Sequence, residues 1–200
     1  MKPDFIEARR YITERMAREL SPWLTYHSLR HTTEDVLPAA DRLGKAANLS
    51  EQDQFLLNTA ALFHDSGFLI AYHNHERHSM GLARAVLPQF GYSPQQIDTI
   101  CDIIAATKMP QAPRGLLQEL MCDADLDLLG RGDFLSRNDE LLAEVRHYAG
   151  QPIRRDHWLR EQARFLREHR FFTAAARSLR AEGKRRNAEL LDAALISSNA

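Results

Sequence analysis

"EQDQFLLNTAALFHDSGF", residues 51–68, carries Phe55, Leu56, Leu57, Ala60, Ala61, Leu62 and Phe63 around most of the circumference of a helix over 51–65. A helix with so little polar surface to offer water runs through the centre of a helical domain. It nevertheless ends on His64 and Asp65. An ionised carboxylate removed from water without a partner costs several kcal/mol or shifts its pKa until it is neutral, so something must hold this pair. Gly67 suits a left-handed helix stop, which would leave both side chains at a helix end beside a loop, an accessible place for chemistry.

Outward from this helix, apolar residues recur at helical spacing almost everywhere, and alternating β-branched runs between turn dipeptides are missing, so the expected fold is all-α. Helices are expected near 3–20, 28–47, 76–89, 94–106, 116–129, 134–148 and 153–195, the last broken near Phe171 to Thr173. "SPWLTYH", "SGFLIAYHN", "FGYSP" and "TKMPQAPRG" separate them, and Ser50 in "NLSEQDQ" reads as a helix N-cap. A chain of 200 residues accommodates one domain, here 1–150, with a helical extension over 151–200 packed on it. The boundary "YAGQP", 148–152, is where the charge balance changes sign: residues 151–200 hold 11 Lys or Arg against 6 Asp or Glu, the remainder 15 against 21.

The 44% apolar and 26% charged composition is that of an ordinary globular protein, and a net charge of −1 argues against a protein that coats nucleic acid. No apolar run approaches the roughly 20 residues of a membrane helix, and the N-terminus lacks a signal-peptide pattern, so cytoplasmic residence is the expectation. Cys101 and Cys122 lie in apolar helical contexts and read as core thiols.

A second polar anomaly is "MCDADLDLLG", 121–130, whose alternating aspartates cannot all share one helix face. Asp125 has Met121, Cys122, Leu128 and Leu129 as its i±3 and i±4 neighbours and is expected to be the buried one. Asp123 and Asp127 have Glu119, each other or Arg131 among theirs and are expected on a solvated face. A divalent cation held by imidazoles and carboxylates would neutralise Asp65 and Asp125 together. "YHSLRHTTED" offers His27 and His31, four residues apart, as a further ligand; a surface pair near a helix start fits the spacing equally well, and spacing does not choose.

His31, the pair His64–Asp65 and then Asp125, separated by 33 and 60 residues on an all-α background, resemble the H…HD…D signature of the HD superfamily of metal-dependent phosphohydrolases. The similarity covers roughly residues 24–148. It implies a helical bundle in which His31, His64, Asp65 and Asp125 bind a divalent metal ion (Mn, Co, Ni, Fe, Mg or Zn) that activates water against a phosphoester. It selects His31 over His27, which becomes a pocket residue and substrate-binding candidate. In the resemblance "NHE" follows the HD helix over the pocket, so His75 and Glu76 look like substrate-binding or proton-transfer residues, the bland alternative being a polar loop entering a solvated helix. Two-metal members carry an additional histidine pair where this chain reads "AATKMP"; Thr107 and Lys108 do not replace it, which favours one metal and leaves Lys108 as a cation for a phosphate oxygen. Asp65 would be the ligand best placed to help deprotonate water. "FGYSP" is not the signature of the cyclic-dinucleotide branch, and no Glu-Asp pair follows Asp65 as in alarmone hydrolases.

In the extension, Trp158, Gln162, Phe165, His169, Phe172 and Ala176 form a stripe for docking on the domain. His169 is its candidate substrate contact, although an imidazole in such a stripe is more often a satisfied core histidine. The basic residues could close the pocket, form a solvated face, or meet the acidic surface of a second subunit in a homodimer. The expectation is a phosphohydrolase of a small phosphorylated metabolite, with nucleotides the leading class. The alternatives are a nucleotide-sensing module that keeps the metal pocket, or a partner-binding tail with a structural metal.

Overall fold

Ser50 begins the central helix as expected, its hydroxyl accepting from the Asp53 N–H at 3.1 Å. From there Leu57, Ala60, Ala61, Leu62 and Phe63 are wholly excluded from solvent. The computed structural model describes residues 3–198, all of whose regular elements are helical. They are α1 (Phe5–Glu19), α2 (Leu37–Ala46), α3 (Glu51–Phe63), α4 (His75–Val86), α5 (Pro94–Ala105), α6 (Leu116–Asp125), α7 (Phe134–Tyr148), α8 (Arg155–Glu168) and α9 (Ala174–Ser198). Helices α1, α2, α4, α5 and α6 surround α3. Each lays an apolar stripe on it, such as Ala8, Ile12 and Met16 of α1. No described helix is long and apolar enough to cross a membrane.

Two local departures concern the site. The helix expected over 28–47 opens as a π-helical stretch, His31–Val36, before settling into α2. Gly67 does not form a left-handed stop; it lies inside a 3-10 turn, Ser66–Leu69, and the glycines with positive φ are Gly91 and Gly150. Glycine is needed there for space, because a Cβ on Gly67 would stand 1.9 Å from the His75 carbonyl oxygen. The Gly67 N–H also donates to Ser79 Oγ at 2.8 Å, fastening the end of α3 to α4.

The expectation of a solvated face for Asp123 and Asp127 is corrected. Both are buried, at 0% and 4% exposure, whereas Asp125, expected to be the buried one, is only partly covered, its side chain 20% exposed at the cavity. What covers them is the extension, which the i±4 neighbours on α6 do not reveal. The Asp123 carboxylate accepts from the Phe172 and Thr173 N–H groups, both at 2.8 Å, and from Thr173 Oγ1 at 2.7 Å, in the break between α8 and α9. Asp127 receives the Arg180 fork at 2.8 and 2.9 Å and Arg42 at 2.9 Å. Asn187 Nδ2 donates to the Leu129 and Arg131 carbonyls at 2.8 Å each. Gly183 and Gly130 let α9 touch the turn after α6 backbone to backbone, a Cβ on Gly183 falling 2.0 Å from the Gly130 oxygen.

Candidate metal centre and its cavity

Three separate elements bring the ligand candidates together. His31 begins the π-helical stretch, His64 and Asp65 follow α3, and Asp125 is the last residue of α6. His64 Nε2 lies 3.2 Å from Asp65 Oδ2 and 3.4 Å from Asp125 Oδ1. His31 Nε2 lies 3.4 Å from Asp125 Oδ1 and 3.7 Å from Asp65 Oδ2. Ligand atoms about 2.1 Å from one ion stand about 3.0–3.5 Å apart, so these separations are close to those of a coordination shell. His31, His64 and Asp65 could hold a metal ion: one ligand atom from each lies within 4.8 Å of the others.

Hydrogen bonding does not account for this convergence. His31 Nε2, His64 Nε2 and Asp65 Oδ2 are all buried without a hydrogen-bond partner among the described residues. Buried polar atoms are normally paired, so three orphans facing one point fit a cation. His64 is prepared for that role, because its Nδ1 hydrogen-bonds the Ala61 carbonyl at 2.8 Å and leaves Nε2 free. Behind His31, Asp35 Oδ2 lies 3.6 Å from Nδ1. Asp35 is itself held by Arg131 at 2.5 Å and by the buried Arg137 at 2.7 Å.

Burial disfavours charge on all of these groups, but their mutual contacts outweigh it. Against that burial, His64 and His31 hold the Asp65 and Asp125 carboxyls well below the ordinary carboxylate range. The carboxylates in turn push both imidazoles upward, His64 strongly. Two carboxylates and one divalent ion would make the centre neutral.

A cavity of about 280 Å³ opens beside the cluster. Its polar lining includes Asp65, Asp125, His27, His75 and Glu76. Its apolar lining includes Leu126, Leu129, Phe134, Leu141 and Phe165, and no Lys or Arg among the described residues lines it. His75 Nε2 is 3.4 Å from Asp65 Oδ1 and 3.8 Å from Glu76 Oε1. The His75 ring stacks on Phe68 with centroids 4.0 Å apart, and His27 stacks on the same ring at 4.7 Å. His73 and His78 are outside the lining.

Two sequence candidates stand elsewhere. Lys108 is exposed and is not among the residues that line the cavity, which include its neighbours Thr107 and Met109. His169 is also outside the lining; it sits between Phe165 and Phe171 with both ring nitrogens buried and unpartnered among the described residues. Burial, with Lys184 and Arg170 nearby, pushes its pKa down to about 4.

Several residues of the site escaped the sequence reading. Glu144 is wholly buried and accepts from the Tyr26 and His27 N–H groups at 2.9 Å each, with its other oxygen 2.5 Å from His27 Nδ1. Its spacing in α7 gave no sign of this, because its partner lies 117 residues away. Asp35, one turn after His31, carried a weak i+4 signal. Asn138, buried on the cavity face of α7, carried none.

No family model matches the chain, and no curated protein matches it either. Among solved structures it is similar to the crystal structure of Bacillus subtilis YpgQ in complex with ADP. The two share 22% sequence identity over 96% of this chain and 97% of that one, with a TM-score of 0.61. At that identity the likeness establishes a shared helical fold.

Proposed function

We propose that the chain is a metal-dependent phosphohydrolase of the HD superfamily acting on a small phosphorylated metabolite, with nucleotides the leading class. The observation that carries this reading is the convergence of buried, unpartnered His31 Nε2, His64 Nε2 and Asp65 Oδ2 at the wall of an accessible cavity. ADP in the similarly folded YpgQ structure supports a nucleotide as the ligand.

His31, His64, Asp65 and Asp125 would hold the ion, which when bound lowers the pKa of water and offsets phosphoryl charge. Asp65 has one oxygen toward the imidazoles and the other toward His75. A proton accepted at Asp65 therefore has an imidazole within reach and the Glu76 carboxylate just beyond it. Phe68 keeps the His75 and His27 rings in fixed planes, and Glu144 holds His27 through Nδ1. Ordered general acid–base groups of this kind contribute roughly 10²–10⁴-fold to a rate.

The test is metal analysis of the purified chain, followed by a screen of phosphomonoesters, phosphodiesters and nucleotides with Mn, Co, Ni or Mg. Turnover that is abolished by chelation and by Asp125→Ala is expected. Metal-loaded protein that binds a nucleotide tightly and hydrolyses none of these esters would instead be a sensing module.

A further inference from the structure

The ion proposed above answers for one nitrogen of His31 and not for the other. The ring is buried, and both Nδ1 and Nε2 are without a hydrogen-bond partner among the described residues. Nε2 lies beside Asp65 and Asp125, so a cation there satisfies it. Nδ1 lies instead 3.6 Å from Asp35 Oδ2. His64 meets the same need with a backbone carbonyl, its Nδ1 standing 2.8 Å from the Ala61 oxygen.

Asp35 is buried and is not among the residues that line the cavity, so it is neither a ligand candidate nor a group that a substrate would meet. Two guanidinium groups fix it: Arg131 donates to Oδ1 at 2.5 Å and Arg137 to Oδ2 at 2.7 Å. Arg131 is held in turn by Asp133 at 2.6 and 2.9 Å. The two cations offset the charge of Asp35, which therefore adds no third anion to the two aspartates of the centre. Oδ2 still has room for a donor, because an ionised carboxylate oxygen accepts more than one hydrogen bond. His31 and Asp35 both belong to the π-helical stretch, a departure from α-geometry that recurs at functional sites.

We infer that Asp35 is a positioning residue of the metal centre: it accepts the Nδ1–H of His31 and so fixes the ring in the tautomer and plane that present Nε2 to the ion. This rests on the metal of the proposed function and not on hydrolysis. An imidazole that ligates through one nitrogen carries its proton on the other, and that N–H is normally given a carboxylate or carbonyl to hold it. The remaining gap is small, since closing the 3.6 Å separation by about 0.4 Å reaches the ordinary hydrogen-bond range.

Zinc, which is diamagnetic, is the probe. In the ¹⁵N-labelled, zinc-loaded chain, correlating ring protons with ring nitrogens shows which nitrogen of His31 takes the ion and which the proton. The expected spectrum has the ion on Nε2 and a slowly exchanging proton on Nδ1. Asp35→Ala is expected to weaken zinc binding about 10–100-fold, read by competition with a chelating dye. Asp127→Ala, which likewise takes a buried carboxylate from two arginines, is expected to keep the wild-type affinity. The inference is overturned if His31 ligates through Nδ1, if Asp35→Ala binds zinc as tightly as the wild type, or if Asp127→Ala loses as much, which would make Asp35 a structural group. Should Asp35→Ala fail to fold, the wild-type spectrum decides alone. A wild type that takes up no zinc would remove the metal centre and this inference with it, whereas a zinc-loaded chain that hydrolyses no ester would refute the hydrolase proposal alone.

Discussion

Three aspartates two residues apart, Asp123, Asp125 and Asp127, do different work, and each can be removed to show it. Asp125 meets two imidazoles of the candidate metal centre, Asp123 receives the break between α8 and α9, and Asp127 receives Arg180 and Arg42. Asp125→Ala should abolish binding of a divalent ion, read by metal analysis after dialysis, with the fold retained. Asp127→Ala should keep the ion but lose about 2–3 kcal/mol of stability in urea unfolding, because Arg180 is left without its carboxylate. Equal loss of metal from both variants would refute the division of labour. A second expectation follows from the imidazoles. Without an ion, the surrounding carboxylates favour the protonated forms of His31 and His64, whereas a metal ligand must be neutral. Metal binding near pH 7 should therefore release protons and weaken as pH falls; calorimetric titrations in two buffers of different ionisation heat measure the release, and equal apparent heats would contradict it. His31, His64, Asp65 and Asp125 were readable as a set because their order and separation carry a pattern. The roles of Asp123 and Asp127 were not, since a solvated face and a face covered by a distant helix look alike in a run of i±4 neighbours.

The helices themselves follow closely from apolar spacing and caps, because local forces decide them: Ser50 and Ser93 both cap where a serine precedes a helical stripe. The π-helical turn at His31 was not legible, since i→i+5 bonding has no residue signature and is chosen by what surrounds it, here Asp35 drawn to Arg131 and Arg137. The hairpin of α8 and α9 illustrates the same limit, its stripe being visible and its docking partners not. Within it, His169 is kept neutral in an apolar setting, with its folded pKa near 4 against an ordinary value of about 6.5. The lowered value means that the unfolded chain binds the extra proton more readily. Its contribution to stability is therefore whole above about pH 6.5 and is lost as pH falls toward 4. His169→Leu should remove this sensitivity at little cost, because neither ring nitrogen has a partner to lose among the described residues. Urea unfolding at pH 7.5 and pH 5 compares the two chains; the wild type is expected to lose more stability between the two pH values, and equal losses would rule His169 out as the acid-sensitive group.

For the molecule as a whole, the candidate metal centre lies where three packed elements meet: the π-helical turn, the end of α3 and the end of α6. An ion that binds the folded chain and not the unfolded one should stabilise all of it. Free metal at 100 times its dissociation constant adds about 2.7 kcal/mol by mass action. For a chain of 200 residues each kcal/mol raises Tm by about 2–4 °C, so a divalent ion should raise it by about 5–10 °C. The rise should vanish in His64→Ala and in Asp125→Ala, which remove ligands from different helices. It should persist in Asp127→Ala, whose Tm begins lower but whose ligand set is intact. This pattern separates a single shared centre from ions held loosely on the acidic surface, because surface sites would stabilise all the chains alike. An equal shift in Asp125→Ala and the wild type would place the ion elsewhere, and the buried imidazoles and carboxylates would then need another explanation for their company.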